Sequence, residues 1–303
     1  MKDLLGIADL DRAALETILA LSARPDLGRP LAGQGVALVF QKPSARTRNS
    51  MEMAVVGLGG HPVYITDAEV GLGSGRESPE DVARTLACFH GVIAARVFDH
   101  AVLERMAAAV DAPVLNMLSD RAHPLQTLAD LLTLQERFGR LEGLRIAYVG
   151  DGENNVARSL AAGCVRVGAR LIIATPPEHS LSSEDLRELN SHGALSGGEV
   201  TQVVDPAEAV TGAEAVYTDT WTSMGQEAEA DARRALFAPY QVNGSLMAHA
   251  APDAVFLHCL PAHRGEEATD AILDGPQSLI WTQAANRMRT ARGALAWMTG
   301  VRP

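Results

Sequence analysis

Cysteine is scarce: Cys88, Cys164 and Cys259 are the only three among 303 residues, and none has C-x-x-C spacing. That excludes a disulfide-stapled secreted scaffold and makes a reducing cytoplasm the expected compartment. Basic charge is also in deficit, with 26 Lys and Arg against 37 Asp and Glu and a formal net charge of −11. No basic run reverses that balance, so no nucleic-acid partner held by phosphate neutralisation is expected. The opening MKDLLGIADLDRAALE carries acids where a signal peptide would have a basic region and an apolar run. No apolar stretch approaches the roughly 18 residues of a membrane span, so no membrane partner is expected either. There is no repeat of fixed period and no low-complexity tract.

What is present is 47% hydrophobic and 21% charged residues, ample apolar material for a core. At about 150 residues per domain the length suggests two domains. Gly35–Phe40, Val92–Val97 and Pro113–Leu118 read as buried strands, with helices over Pro79–Phe89 and Ala101–Val110. A helix from about His123 to Phe138 stops at Gly139. The alternation then resumes, with strands at Arg145–Val149, Leu171–Ala174, Val200–Val204, Ala215–Thr218 and Val255–Leu260. A last helix lies near Ala285–Met298. The fold class is α/β, two doubly wound parallel-sheet domains, divided as 1–138 (completed by a C-terminal helix, 285–303) and 139–284. The connection from Thr220 to about Gly244 is too long for a simple turn and carries a surface helix, Ala228–Leu236.

Polar clusters stand at strand ends. Lys42-Pro43-Ser44-Ala45-Arg46-Thr47-Arg48 leads into an apolar helix, with Ser44 a good N-cap. Free amides, two hydroxyls and two guanidinium groups at a helix N-terminus suit a phosphate or another dianion. The glycines of a P-loop are missing. His123 and Gln126, three apart, can share the face of the long helix's first turn. Gly150-Asp151-Gly152-Glu153-Asn154-Asn155 follows a strand but lacks the third glycine of a dinucleotide fingerprint. Asp219-Thr220-Trp221-Thr222-Ser223-Met224-Gly225 and His258-Cys259-Leu260-Pro261-Ala262-His263 also follow strands. A zinc site there, or a Cys–His nucleophile pair, is disfavoured because adjacent strand residues point to opposite faces.

Together FQKPSARTR (Phe40–Arg48), HPLQ (His123–Gln126), DTWTSMG (Asp219–Gly225) and HCLPA (His258–Ala262) resemble the signatures of the ornithine carbamoyltransferases. The resemblance covers essentially the whole chain and takes in Glu77-Ser78, Arg96, GDGENN and Asn286-Arg287. It implies two domains joined by two interdomain helices, a homotrimer, and no metal or organic cofactor. Ser44, Ala45, Arg46 and Thr47 would hold the phosphate of carbamoyl phosphate. Arg96, His123, Pro124, Leu125 and Gln126 would hold its carbamoyl group, with Arg287 completing the site. Asn155, Asp219, Ser223 and Met224 would bind the amino-acid end of L-ornithine. Cys259 and Leu260 would lie where the δ-amine meets carbamoyl phosphate, and Arg96, His123, Asp219 and Cys259 would be catalytic.

The implied reaction yields L-citrulline and phosphate, in arginine biosynthesis or, reversed, in its catabolism. The alternatives are a carbamoyltransferase acting on another amine and a ligand-binding paralogue without turnover. Two departures stand out. Gly71 occupies the place where the family has Gln or His reaching a neighbouring subunit's site, which leaves that role to Arg76 or a backbone group. The Ala284-Ala285-Asn286-Arg287 run lacks the family's two acids but keeps the arginine.

Overall fold

The computed structural model describes residues 3–222 and 227–302. The chain divides into two compact units, Met1–Leu132 with Ala285–Pro303, and Thr133–Ala284. Both divisions fall inside helices, Pro124–Phe138 and Ile280–Met298, so two helices join the units.

The first unit has strands β1 (Gly35–Phe40), β2 (His61–Thr66), β3 (His90–Arg96) and β4 (Val114–Leu118). All pair in parallel, in the order β2-β1-β3-β4. Their apolar runs follow from helices covering both faces, which leaves no solvent side to read as alternation. Val36–Phe40 and Val114–Leu118 are buried throughout. β2 is the strand that sequence periodicity missed: it is an edge strand with Pro62 inside it, half-exposed through most of its length. Proline is tolerated there because an edge strand can spare one N–H from the ladder. The Pro79–Ala87 helix starts as its sequence signals, with Ser78 Oγ accepting from Asp81 N at 3.1 Å.

The second unit has β5 (Arg145–Val149), β6 (Arg170–Ala174), β7 (Glu199–Val203), β8 (Ala215–Thr218) and β9 (Val255–His258). They too are all parallel, in the order β7-β6-β5-β8-β9. The connection after β8 runs to Ala254, longer than the sequence reading, and holds the Ala230–Phe237 and Gly244–Met247 helices. Its core side packs Trp221, Phe237, Tyr240 and Met247 with Val149, Val216 and Phe256.

In each sheet the chain leaves a central strand in one direction and resumes on its other side. The switch points lie between β1 and β3 and between β5 and β8. Open α/β sheets bind ligands at the carboxyl ends of strands at such points.

Candidate active site

The first unit's switch point gathers four segments. Phe40 and Arg96 end β1 and β3 side by side in register. The Ala45–Gly57 helix begins just past β1, its Ser44 cap accepting from Thr47 N at 3.5 Å. Arg96 reaches across from β3, donating to Thr47 Oγ1 at 3.4 Å. From the Ile280–Met298 helix, Arg287 donates to His123 Nε2 at 3.2 Å and to Gln126 Oε1 through the same nitrogen. Gln126 is fixed from its other end, Nε2 donating to Asp130 Oδ1 at 2.8 Å. Pro124 and Leu125 open the helix that carries Gln126.

Electrostatics define what this pocket accepts. Arg96 has its pKa lowered to about 10 by burial, then by the Arg287 and Arg46 charges. His123 is pushed well below its ordinary 6.5, again by burial first and then by Arg287 and Arg96. A guanidinium cannot accept, so His123 Nε2 is the acceptor from Arg287 and the neutral ring carries its proton on Nδ1. Arg46 and Arg287 both act on Arg96, and Arg96 and Arg287 both act on a neutral His123, an excess of positive charge that a dianion relieves. Arg48, the other arginine of the motif, is turned away: it donates to Glu52 at 2.8 Å and lies 3.9 Å over the Tyr64 ring.

The second unit's switch point centres on Asp219, which follows β8 and is 7% exposed. Its Oδ1 accepts from the Cys259 thiol and the Thr220 N–H, both at 2.7 Å, and Oδ2 accepts from Asn154 Nδ2 at 3.3 Å. Burial raises its pKa, against the opposing effects of His258, Cys259 and Thr220. Asn154 also caps the Asn155–Val167 helix, accepting from Ala157 N at 2.7 Å, so Asn155 is that helix's first residue. Ser223 and Met224 lie outside the described residues.

The HCLP segment departs from the strand geometry its sequence suggests. β9 ends at His258, Leu260 has φ 61°, and the Leu260–Pro261 bond is cis. Cys259 is therefore not on an opposite strand face: Asp219, His258 and Cys259 bring ligand atoms within 4.8 Å of one another. The reason to set a metal aside is different. His258 Nδ1 accepts from Leu260 N at 2.9 Å and Nε2 donates to Glu267 Oε1 at 3.0 Å, so both ring nitrogens are engaged. These bonds hold Leu260 in a left-handed conformation that costs an L-residue about 1–2 kcal/mol.

Motif reading missed the partners that hold these residues. Arg233, 4% exposed, donates to the Trp221 carbonyl and to Asp151 Oδ2, tying the DTW segment to the GDG turn. Glu267, Asp130 and Gln283 are likewise buried supports, Gln283 Oε1 accepting from His258 N at 3.0 Å. Arg233 and Glu267 sit in polar, charged stretches, and their partners are not adjacent in the sequence, so the motifs do not include them. At the Gly71 departure, Arg76 folds onto its own loop, donating to the Ala68 and Glu69 carbonyls.

Two family models match the chain: the carbamoyl-P binding domain of the aspartate/ornithine carbamoyltransferases over residues 2–136, and their Asp/Orn binding domain over 142–298. The chain belongs to the aspartate/ornithine carbamoyltransferase family. Among its relatives, ornithine carbamoyltransferase from Thermococcus kodakarensis is 44% identical, with 99% of this chain and 96% of that protein aligned. The structure of ornithine carbamoyltransferase from Pyrococcus furiosus superposes with a TM-score of 0.93 at 43% identity, covering 99% of this chain and 98% of that one. For the enzyme from Thermus thermophilus the TM-score is 0.89 at 43% identity, with coverages of 98% and 99%.

Proposed function

We propose that the chain transfers the carbamoyl group of carbamoyl phosphate to the δ-amine of L-ornithine, giving L-citrulline and phosphate. The observation that carries this reading is Arg96 with Arg46 and Arg287 beside it, the last bonded to a neutral His123. Its excess positive charge fits an acyl phosphate dianion, and Ser44, Ala45 and Thr47 add helix N-terminal donors. The δ-amine attacks the carbamoyl carbon, a tetrahedral oxyanion forms, and the C–O bond to phosphate breaks. On balance one amine proton passes to phosphate. Arg96, the Nδ1–H of His123 and Thr47 are the oxyanion donors, each worth about 2.7–4 kcal/mol when such a donor is lost.

An alkyl amine titrates near 10.4, so about one in 10³ is neutral at pH 7. Asp219, with its raised pKa and its bond from the Cys259 thiol, is the group placed to hold the amine end. Asn155, Ser223 and Met224 complete the ornithine set, and Pro124, Leu125 and Leu260 border carbamoyl phosphate. The same reading makes residues 1–138 with 285–303 the carbamoyl phosphate domain and 139–284 the ornithine domain.

A homotrimer in the cytoplasm is part of the proposal. It is supported by exposed Met53, Val56 and Phe89 and by the lack, among the described residues, of any helix able to cross a membrane. Sedimentation equilibrium tests the trimer. For the activity, citrulline formation is measured with ornithine, N-acetylornithine, putrescine and aspartate in parallel. Turnover with ornithine alone, rising from pH 7 to 9, supports the proposal. Turnover with another amine, or with none, overturns it.

A further inference from the structure

The turn beyond Pro261 carries a cluster of donors that the transfer reaction does not use. His263 Nδ1 stands 3.9 Å from Glu267 Oε2 and 4.0 Å from Glu266 Oε2, and all three donor atoms lie within 4.8 Å of one another. The other oxygens are committed. Glu266 Oε1 accepts from Arg234 Nε at 3.1 Å. Glu267 Oε1 accepts from His258 Nε2 at 3.0 Å and from the His263 N–H at 2.6 Å. Glu267 Oε2 is left buried with no hydrogen-bond donor, on a side chain that is 0% exposed. A carboxylate oxygen removed from water needs a donor or a cation, and this one is aimed at the His263 ring.

The backbone of the cluster is fixed. Gly265 N donates to Ala268 O and Glu266 N to His263 O, both at 2.9 Å, while Val242 N donates to Glu267 O at 2.9 Å. The neighbouring Arg264 is drawn to Asp270 and Asp274, away from the three donors. Nearby charges are then two carboxylates and Arg234, itself shared with Asp231. His263 is 48% exposed, which gives an ion a route in and water ligands.

From this geometry we infer a divalent transition-metal site, with His263 Nδ1, Glu266 Oε2 and Glu267 Oε2 as ligands and water completing the shell. One imidazole and two carboxylates suit Zn²⁺ or Co²⁺, whereas Mg²⁺ favours oxygen alone. With metal–ligand distances of about 2.0–2.2 Å, tetrahedral donors stand roughly 3.4 Å apart. The present spacing closes to that by small turns of the half-exposed His263 and Glu266 side chains. The ion would share Glu267 with His258, and so sit behind the turn that carries Cys259 without touching the reacting groups.

The test is calorimetric titration of Zn²⁺ and Co²⁺ into chelator-treated protein, together with the visible spectrum of the Co²⁺ form. One ion per chain and a spectrum free of thiolate charge-transfer bands are expected, since no cysteine is a ligand. His263→Gln should weaken binding by more than ~100-fold, beyond the 10–100-fold cost typical of outer-shell partners. Glu266→Gln provides an independent check on a second ligand, and Cys259→Ser should bind like the wild type. No saturable binding, unchanged affinity in His263→Gln, or a thiolate band lost in Cys259→Ser would each overturn the assignment.

Discussion

At the scale of single residues, the proposed carbamoyl phosphate site places like charges together, and that has a measurable consequence for stability. Arg96 is half-buried beside Arg287 and Arg46, and its pKa is lowered to about 10 first by loss of water and then by those two charges. Arg96→Met should therefore raise the thermal midpoint of the ligand-free protein, through a stability gain of the ~0.5–2 kcal/mol size common for single stabilising substitutions. The same change should cut turnover by at least ~10²-fold if Arg96 is the charged oxyanion donor proposed for it. Millimolar phosphate should raise the midpoint of the wild type, and the substitution should shrink that rise. A lower midpoint together with normal turnover would contradict the role given to Arg96.

His123 gives a pH dependence with a definite sign. Its folded pKa lies well below 6.5, so above pH 6.5 it is neutral in both states and contributes nothing. As pH falls through 6.5 the unfolded chain takes a proton that the folded chain refuses, and stability declines. His123→Gln, which keeps an acceptor for Arg287, should flatten that decline. Thermal midpoints from pH 7.5 to 5 in the two proteins provide the check, and parallel curves would count against a neutral His123.

At the scale of elements, the proposed ornithine site rests on a buried staple that crosses a long sequence distance. Arg233, in the Ala230–Phe237 helix, fixes the Trp221 carbonyl and Asp151 together. Ser223 and Met224, which the proposal places against ornithine, follow Trp221 by two and three positions in the sequence. Breaking a buried pair by deleting one partner typically costs about 3–5 kcal/mol. Arg233→Ala should accordingly lower the thermal midpoint and raise KM for ornithine by tenfold or more, about 1.4 kcal/mol. KM for carbamoyl phosphate should change little, and Arg233→Lys should restore part of the ornithine affinity. Equal rises in both KM values would mean that the damage is general.

The same scale shows what could be read in advance. β1, β5 and β8 were legible residue for residue, because strands buried on both faces are continuous apolar runs. β2 was not, since an edge strand containing Pro62 carries neither that run nor a clean alternation. The Ser44–Thr47, HPLQ and DTW segments can be picked out in the sequence because each keeps its polar groups within a few residues. Arg233–Asp151 spans 82 positions, and Glu267 acts nine residues from His258, so neither pairing has a local signature. The geometry of Cys259 was misread for a related reason: the strand stops one residue before it, and the left-handed Leu260 turns the chain.

At the scale of the whole molecule, a net charge of −11 coexists with the arginine cluster that the proposal assigns to a dianion. Local guanidiniums must therefore overcome the field of the chain, and buried ones do so because ions in solvent screen them little. Each unit also carries its half-site at its own sheet's switch point, with its own supports: Arg287 and Gln126 in one, Asn154 and Glu267 in the other. Loss of one half-site should then leave the other competent to bind. Asp219→Ala removes the acceptor for Cys259, Thr220 and Asn154 in the second unit alone. It should abolish measurable ornithine binding while preserving both phosphate affinity and the phosphate-induced rise in thermal midpoint. The two readouts are calorimetry with each ligand and a melting series with and without phosphate. A variant that lost phosphate binding too would show that the arginine cluster depends on Asp219, and the two half-sites would then have to be treated as one unit of stability.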